Sequence, residues 1–296
     1  MDSHILDCYI RAGKIASIVR EKSKKWIFEG AKLLDAAQNI ESEIVSLGGG
    51  LAFPVNISLN EIAAHYTPTE NDEKVFSRED IVKIDIGVHV DGYIADTAAS
   101  IYLGSDKRKI ALLDASKNAL NSAISIINPG IKISEVSAVI ENTIRNSGFN
   151  PITNLTGHYL GRYVVHASPS IPNVRTHSRD ILEEGDVIAI EPFATDGSGE
   201  VKDTGRAMIF SFIRDVSPRS GSARKIQAFA KNINGLPFAS RWLKEPKGML
   251  RENGLKELVS LGGLHAYPPL KEVAGGCISQ AEHTVIVLDK AVVITK

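Results

Sequence analysis

Two aspartates, Asp85 and Asp96, interrupt KIDIGVHVDGYIADTA (residues 83–98), a stretch that otherwise alternates apolar and polar residues as a hairpin does. Asp91-Gly92 between them is a two-residue turn signal. With that turn, Val90 pairs with Tyr93, Gly87 with Asp96, and Asp85 with Ala98. The aspartates are then diagonal neighbours on one face, about 7–8 Å apart at Cα. Any loop with an even number of residues keeps them on that face. Two carboxylates facing one space need a shared proton, a basic partner or a cation. Lys83, on the same face, is the available basic partner, and two solvated aspartates on an exposed face are the plainer reading.

Three more ionisable groups bear on that choice. His158 follows the Gly157 turn, Glu191 ends the apolar run 187–190 before Pro192, and Glu282 breaks another apolar stretch. Burying an unpaired carboxylate costs several kcal/mol. Four carboxylates converging with one imidazole would need a compensating charge of about +4, which two divalent ions supply; an imidazole among carboxylates suits Mn, Fe(II), Co or Zn better than Mg or Ca. His166 reads on its own as a strand-end histidine bonded to backbone, and His65 is equally ambiguous. His283 alternates to the face opposite Glu282. His89, His177 and His265 lie in turn-like contexts and are expected at the surface. No Gly-x-Ser-x-Gly or His-Glu-x-x-His occurs, which removes the serine-hydrolase and zincin readings.

The elements that must position these groups follow from periodicity. Helices are expected over 4–28, 31–46, 107–127 and 132–148, the last two separated by Asn128-Pro129-Gly130. Strands are expected over 81–103 (the hairpin), 163–166, 186–192, 206–214, 278–288 and 291–295. Helix pairs followed by strands occur twice, which hints at a duplicated half without an evident sequence repeat. The class is α+β, helices on one face of a mainly antiparallel sheet. From 217 to 276 the character changes: helices at 220–233, 236–244 and 247–261 precede two short strands, 269–273 and 277–287, that resemble a winged helix with its β-wing. The charges on 250–261 cancel, so DNA readout is not expected.

The chain of 296 residues carries a net charge of -1 and two cysteines, Cys8 and Cys277. That charge favours neither nucleic acid nor an anionic membrane. Two cysteines form no disulfide framework, which fits a reducing, cytoplasmic compartment, and each reads as a small buried hydrophobe. The first residues lack the apolar core of a signal peptide, and no apolar run approaches the ~20 residues that span a bilayer. A basic run, Arg219, Arg224, Lys225 and Lys231, reads as a solvated helix face, with contact to ribosomal RNA as the alternative.

DIGVHVDGYIAD, GHYLGRYVVHA, IAIEPFAT and QAEHTVIV, together with AFPVNISLNEIAAHYTP at 52–68, resemble a methionine aminopeptidase of type II in its archaeal form. The resemblance covers nearly the whole chain. It implies a pita-bread fold with pseudo-two-fold symmetry, residues 1–216 and 277–296 forming the catalytic domain and 217–276 a helical insertion. It implies removal of the initiator methionine from nascent proteins by a hydroxide bridging two divalent metal ions (Co, Mn, Fe(II) or Zn). Asp85 matches the terminal ligand of one ion, Asp96 and Glu282 the bridging carboxylates, His158 and Glu191 the ligands of the other. His65 and His166 match the substrate-contacting histidines, Phe53 a wall of the methionine pocket, and Glu191 is the candidate proton shuttle. Nascent N-termini are the implied partners, with a transient ribosome contact, no DNA, no membrane and a monomeric state. A Xaa-Pro dipeptidase and a non-catalytic relative of the same fold are the rival readings.

Overall fold

The computed structural model describes residues 1–296. Helix α1 spans Ser3–Ser23, its first turn capped by the Asp2 carboxylate on the His4 N–H. It stops short of the expected residue 28. The Ser23 hydroxyl donates back to the Arg20 carbonyl at 2.6 Å, and a 3-10 turn, Lys24–Trp26, follows. Helix α2 is Leu33–Ser46, α3 Lys107–Ile126 and α4 Ile133–Asn146. No helix is long and apolar enough to cross a membrane.

The hairpin forms as its turn demands. Ile81–Val90 pairs with Tyr93–Tyr102 in the expected register, Asp85 opposite Ala98 and Gly87 opposite Asp96. Asp91 and Gly92 take the positive φ values, 51° and 86°, that a tight hairpin turn requires. One face of the first strand, Ile84, Ile86 and Val88, packs with Ala12, Ala16, Ile40 and Ile44 of α1 and α2. The other face is left for Lys83, Asp85 and Gly87. A second, five-stranded sheet has the order 291–293, 283–287, 187–190, 156–161, 164–172. Its Ile188, Ile190 and Val285 pack with Leu120, Ile140 and Ile144 of α3 and α4.

The two halves repeat at an offset of 100 residues: α2 starts at 33 and α4 at 133, and both end one position before a turn that passes through glycine, Gly48 (φ 84°) and Gly148 (φ 83°). Bridges Lys32–Val75 and Lys132–Ile181 occupy matching places. The sequence does keep a trace of this repeat, in Gly30/Gly130, Lys32/Lys132, Ile40/Ile140, Glu41/Glu141 and Ile44/Ile144.

The halves are joined along the free edge of Tyr93–Tyr102. Thr284 Oγ1 accepts the Asp96 N–H at 2.7 Å and donates to the Asp96 carbonyl at 2.8 Å. The Glu282 N–H donates to the Ala98 carbonyl at 3.0 Å, and Thr97 Oγ1 to the Glu282 carbonyl at 2.9 Å. Ser100 is bonded in both directions to the Gln280 backbone, at 2.7 Å each way.

Beyond residue 208 a smaller unit packs α5 (Gly221–Asn232) and α6 (Gly248–Ser260) on a three-stranded sheet, 238–239, 209–212, 264–267, around Phe210, Ile226, Phe238, Leu255 and Leu258. Two expectations fail here. Residues 236–244 are not a helix: Phe238–Ala239 pairs with Ile209 and Phe210, and a 3-10 turn, Ser240–Trp242, follows. Their apolar side chains are satisfied by the sheet, and Pro237 supplies no helical N–H. Nor do 269–273 and 277–287 form a wing. Leu270–Glu272 pairs with Val201–Asp203 and with Ile62–Ala64, whereas Ile278–Gln280 pairs with Phe193–Thr195. The buried Glu272 carboxylate explains why: it accepts the N–H groups of Gly199 (3.1 Å), Ala274 (2.6 Å) and Gly276 (3.0 Å), tying the Gly275-Gly276 turn to the 197–199 loop.

Candidate metal centre

The polar face of the hairpin opens into a cavity of about 350 Å³ whose lining includes Phe53, His65, Asp85, Asp96, His158, His166, Glu191 and Glu282. All eight expected site residues therefore meet at one place, from six separate stretches of chain. His158 Nε2 lies 3.8 Å from Asp96 Oδ2 and 3.5 Å from Glu191 Oε1. Donor atoms of Asp96, His158 and Glu282 all fall within 4.8 Å of one another. The edge bonds described above hold this arrangement: Thr284 fixes the Asp96 backbone and Ala98 the Glu282 backbone.

Two readings of the aspartate pair are removed. Asp96 is 3% exposed and Glu282 1%, so the face is not a solvated surface. Lys83 does not neutralise Asp85: its Nζ donates to the carbonyls of Asn60 (2.9 Å) and Ile278 (3.0 Å). That leaves a shared proton or a cation. Burial pushes the carboxyls of Asp85, Asp96, Glu191 and Glu282 above their ordinary range, and mutual repulsion pushes the last three further. Asp85 Oδ1, Asp96 Oδ1 and Glu282 Oε2 are buried without any hydrogen-bond partner. Buried orphan acceptors are costly, and three on residues that line one cavity are what a divalent cation would satisfy. The donor set, carboxylates with one imidazole, fits a borderline divalent metal.

The histidines are held neutral. Burial, then the neighbouring His166, lowers His158 to about 3; burial, then His166, lowers His65 to about 4. His166 is lowered by burial and by His265. The His166 ring stands 4.6 Å from that of His158 and lines the cavity. A neutral imidazole is the form that can ligate a metal or both give and take a hydrogen bond.

Phe53 is buried, its ring lying over Gly87, where an added Cβ would meet it at 2.2 Å. Glycine opposite Asp96 is thus what lets an aromatic wall reach the carboxylates. Asn154 shapes the approach to His158 by exchanging hydrogen bonds with the Val201 backbone, 2.7 and 3.0 Å.

Sequence reasoning missed four lining or supporting residues. His265 sits on a strand, not in a turn, and lines the cavity mouth with Tyr267, whose ring is 4.4 Å from His265 and 5.4 Å from His65. Their spacing of two was the available signal. Asn56 pairs with Asp85 across the sheet, and Gln280 Nε2 reaches Glu191 Oε2 at 3.4 Å; neither carried a sequence signal of its own. His89 is likewise on a strand, half-buried against the Tyr163 ring.

Known proteins resemble this chain over most of its length. The model of metallopeptidase family M24 matches residues 7–224. The methionine aminopeptidase of Pyrococcus horikoshii is 48% identical over 294 residues, covering 98% of this chain and 99% of the relative. That of Archaeoglobus fulgidus is 44% identical over 296 residues, covering 100% and 99%. The solved structure of a methionine aminopeptidase from Thermotoga maritima gives a TM-score of 0.75 at 24% identity, covering 100% of this chain and 98% of that one; at that identity the likeness concerns the fold.

Proposed function

The chain belongs to metallopeptidase family M24, among the methionine aminopeptidases of pita-bread fold, and on that premise we propose that it removes the N-terminal methionine from nascent proteins in the cytoplasm, with two divalent ions in its cavity. The observation that carries the reading is the set of three orphaned carboxylate oxygens on residues lining one cavity beside neutral histidines. Asp85 would hold one ion, His158 and Glu191 the other, and Asp96 and Glu282 would be shared. Bound there, the ions would bring the pKa of a water towards neutrality and polarise the scissile carbonyl.

The chain's own groups account for the rest. Glu191, bonded to Gln280, is the proton carrier between attacking water and leaving amine. His65 and His166, kept neutral, donate N–H hydrogen bonds to the developing oxyanion or the leaving nitrogen. Phe53 walls the space for the apolar methionine side chain. A free α-amino group, positive beside the carboxylates, limits cutting to one residue.

The test is to strip the protein of metal and reload it with Co, Mn, Fe(II) or Zn before offering it Met-Ala-Ser, acetyl-Met-Ala-Ser and Ala-Pro. Cleavage of the first peptide alone is the expected result. Cleavage of Ala-Pro would make the chain a Xaa-Pro dipeptidase. No cleavage with any of the four ions would make it a non-catalytic relative.

A further inference from the structure

We propose that His4, Cys8 and Asp91 form a separate cation site, selective for zinc or a similarly soft divalent ion, that fastens α1 to the tip of the hairpin carrying Asp85 and Asp96. His4 and Cys8 are one helical turn apart, so they project from one face of α1. Asp91 is the first turn residue of the hairpin, brought beneath that face because α1 packs along both hairpin strands; Tyr9 meets Tyr93 edge-on at 5.2 Å.

His4 Nε2 lies 3.7 Å from Cys8 Sγ and 3.6 Å from Asp91 Oδ2, and the three donor atoms all fall within 4.8 Å of one another. Ligands bound to zinc at 2.0–2.3 Å on neighbouring corners of a tetrahedron stand roughly 3.3–3.7 Å apart. The observed separations from His4 already match two such edges, leaving the Cys8–Asp91 edge, within 4.8 Å, to close on the ion. Both His4 and Asp91 are exposed, which leaves the fourth corner to water.

The site is also pre-oriented. Arg162 Nε donates to the Asp91 carbonyl and Nη2 to Asp91 Oδ1, both at 2.9 Å, leaving Oδ2 to face His4. The Asp2 cap fixes the helix turn that carries His4. The Cys8 thiol, 1% exposed, has the His4 ring as its one hydrogen-bond partner. On binding it would release its proton to solvent; thiolate and Asp91 carboxylate then balance the divalent charge. The guanidinium of Arg162 opposes the ion, so affinity falls below that of a four-ligand zinc site. Sulfur sets the chemistry apart from that of the cavity, whose donors are oxygen and nitrogen, and favours Zn, Cd or Co over Mn or Mg.

That difference supplies a test independent of peptidase activity. Co(II) is titrated into the metal-free full chain and thiolate-to-cobalt charge-transfer absorption is followed in the near ultraviolet. The band should appear in the wild type and in Cys277→Ser, be lost in Cys8→Ser, and be lost or need more Co(II) in His4→Ala. Zinc should raise the Tm of the wild type more than that of Cys8→Ser. His4→Ala changes an exposed side chain, so it carries the test if Cys8→Ser fails to fold. No band in the wild type, a band that survives Cys8→Ser, or a band of undiminished affinity in His4→Ala would overturn the site.

Discussion

At the scale of single residues, a His166 variant would separate the proposed substrate handling from metal holding. It lies against His158 but outside the set of orphaned carboxylates, and its ring opens to the cavity. His166→Ala should therefore leave bound metal per chain unchanged while lowering kcat/KM on a Met-Ala peptide by about 10²–10³-fold, the usual effect of losing one transition-state hydrogen bond. Elemental analysis beside the kinetics decides it: loss of an ion would make His166 a ligand, and unchanged kinetics would make it a strand-end histidine. The four candidate carboxylate ligands were legible in the sequence because each interrupts or ends a buried-looking strand, where burial is costly unless something compensates; His158 was marked only by its place after the Gly157 turn. Tyr267 and His265 were not, because their strand is short and its neighbour, Ile209–Phe212, lies more than fifty residues earlier. The spacing of two puts both on one strand face, but nothing local says that the face lines a cavity.

At the scale of elements, the site depends on how one edge strand is closed. The free edge of Tyr93–Tyr102 would expose the Asp96 N–H and carbonyl, and the single hydroxyl of Thr284 satisfies both. Thr284→Val keeps the shape and removes both bonds. It should cost about 1–3 kcal/mol by leaving buried backbone groups unpaired, and it should weaken metal binding because Asp96 is no longer held against Glu282. Denaturant midpoints and metal titration measure the two effects; a variant as stable as the wild type with the same metal affinity would mean that the hairpin alone places Asp96. The hairpin register was readable from Asp91-Gly92, since a two-residue turn fixes every pair behind it. Four of the helices in the two halves were readable from spacing, to within a few residues at their ends. The segment 236–244 was not, since apolar residues after Pro237 suit a short strand as well as a helix, and pairing with Ile209 and Phe210 decided between them. The missing wing has the same origin: Glu272 collects an N–H group from a loop 73 residues away, an interaction with no sequence period.

At the scale of the whole molecule, a fold that gathers four carboxyls without an ion works against its own stability, and pH gives the sign. A carboxyl whose pKa is raised on folding contributes stability that is present below its unfolded pKa, near 4, and lost as pH rises towards its folded value. Asp96 is such a group, raised by burial and then by Asp85 and Glu191. Neutralising it should therefore stabilise the metal-free protein, by a margin that widens by up to about 1.4 kcal/mol per pH unit while the pH stays below the folded pKa. His65 and His158, lowered to about 4 and about 3, act in the opposite sense below pH 6.5; His65 is common to both proteins, whereas His158, 3.8 Å from Asp96, loses a carboxylate neighbour in the variant. Asp96→Asn should thus unfold at higher denaturant than the wild type without metal, with a larger advantage at pH 7 than at pH 5. Adding a divalent ion should reverse the order. The wild type gains about 2.7 kcal/mol at an ion concentration one hundred times its Kd, whereas the amide of the variant would no longer supply the carboxylate charge that the proposed site offers to a cation. Denaturation at both pH values, with chelator and with excess Mn or Co, gives the four comparisons. If Asp96→Asn is the less stable protein in chelator at both pH values, the carboxyl is satisfied by the fold itself, and the cavity was not built around cations.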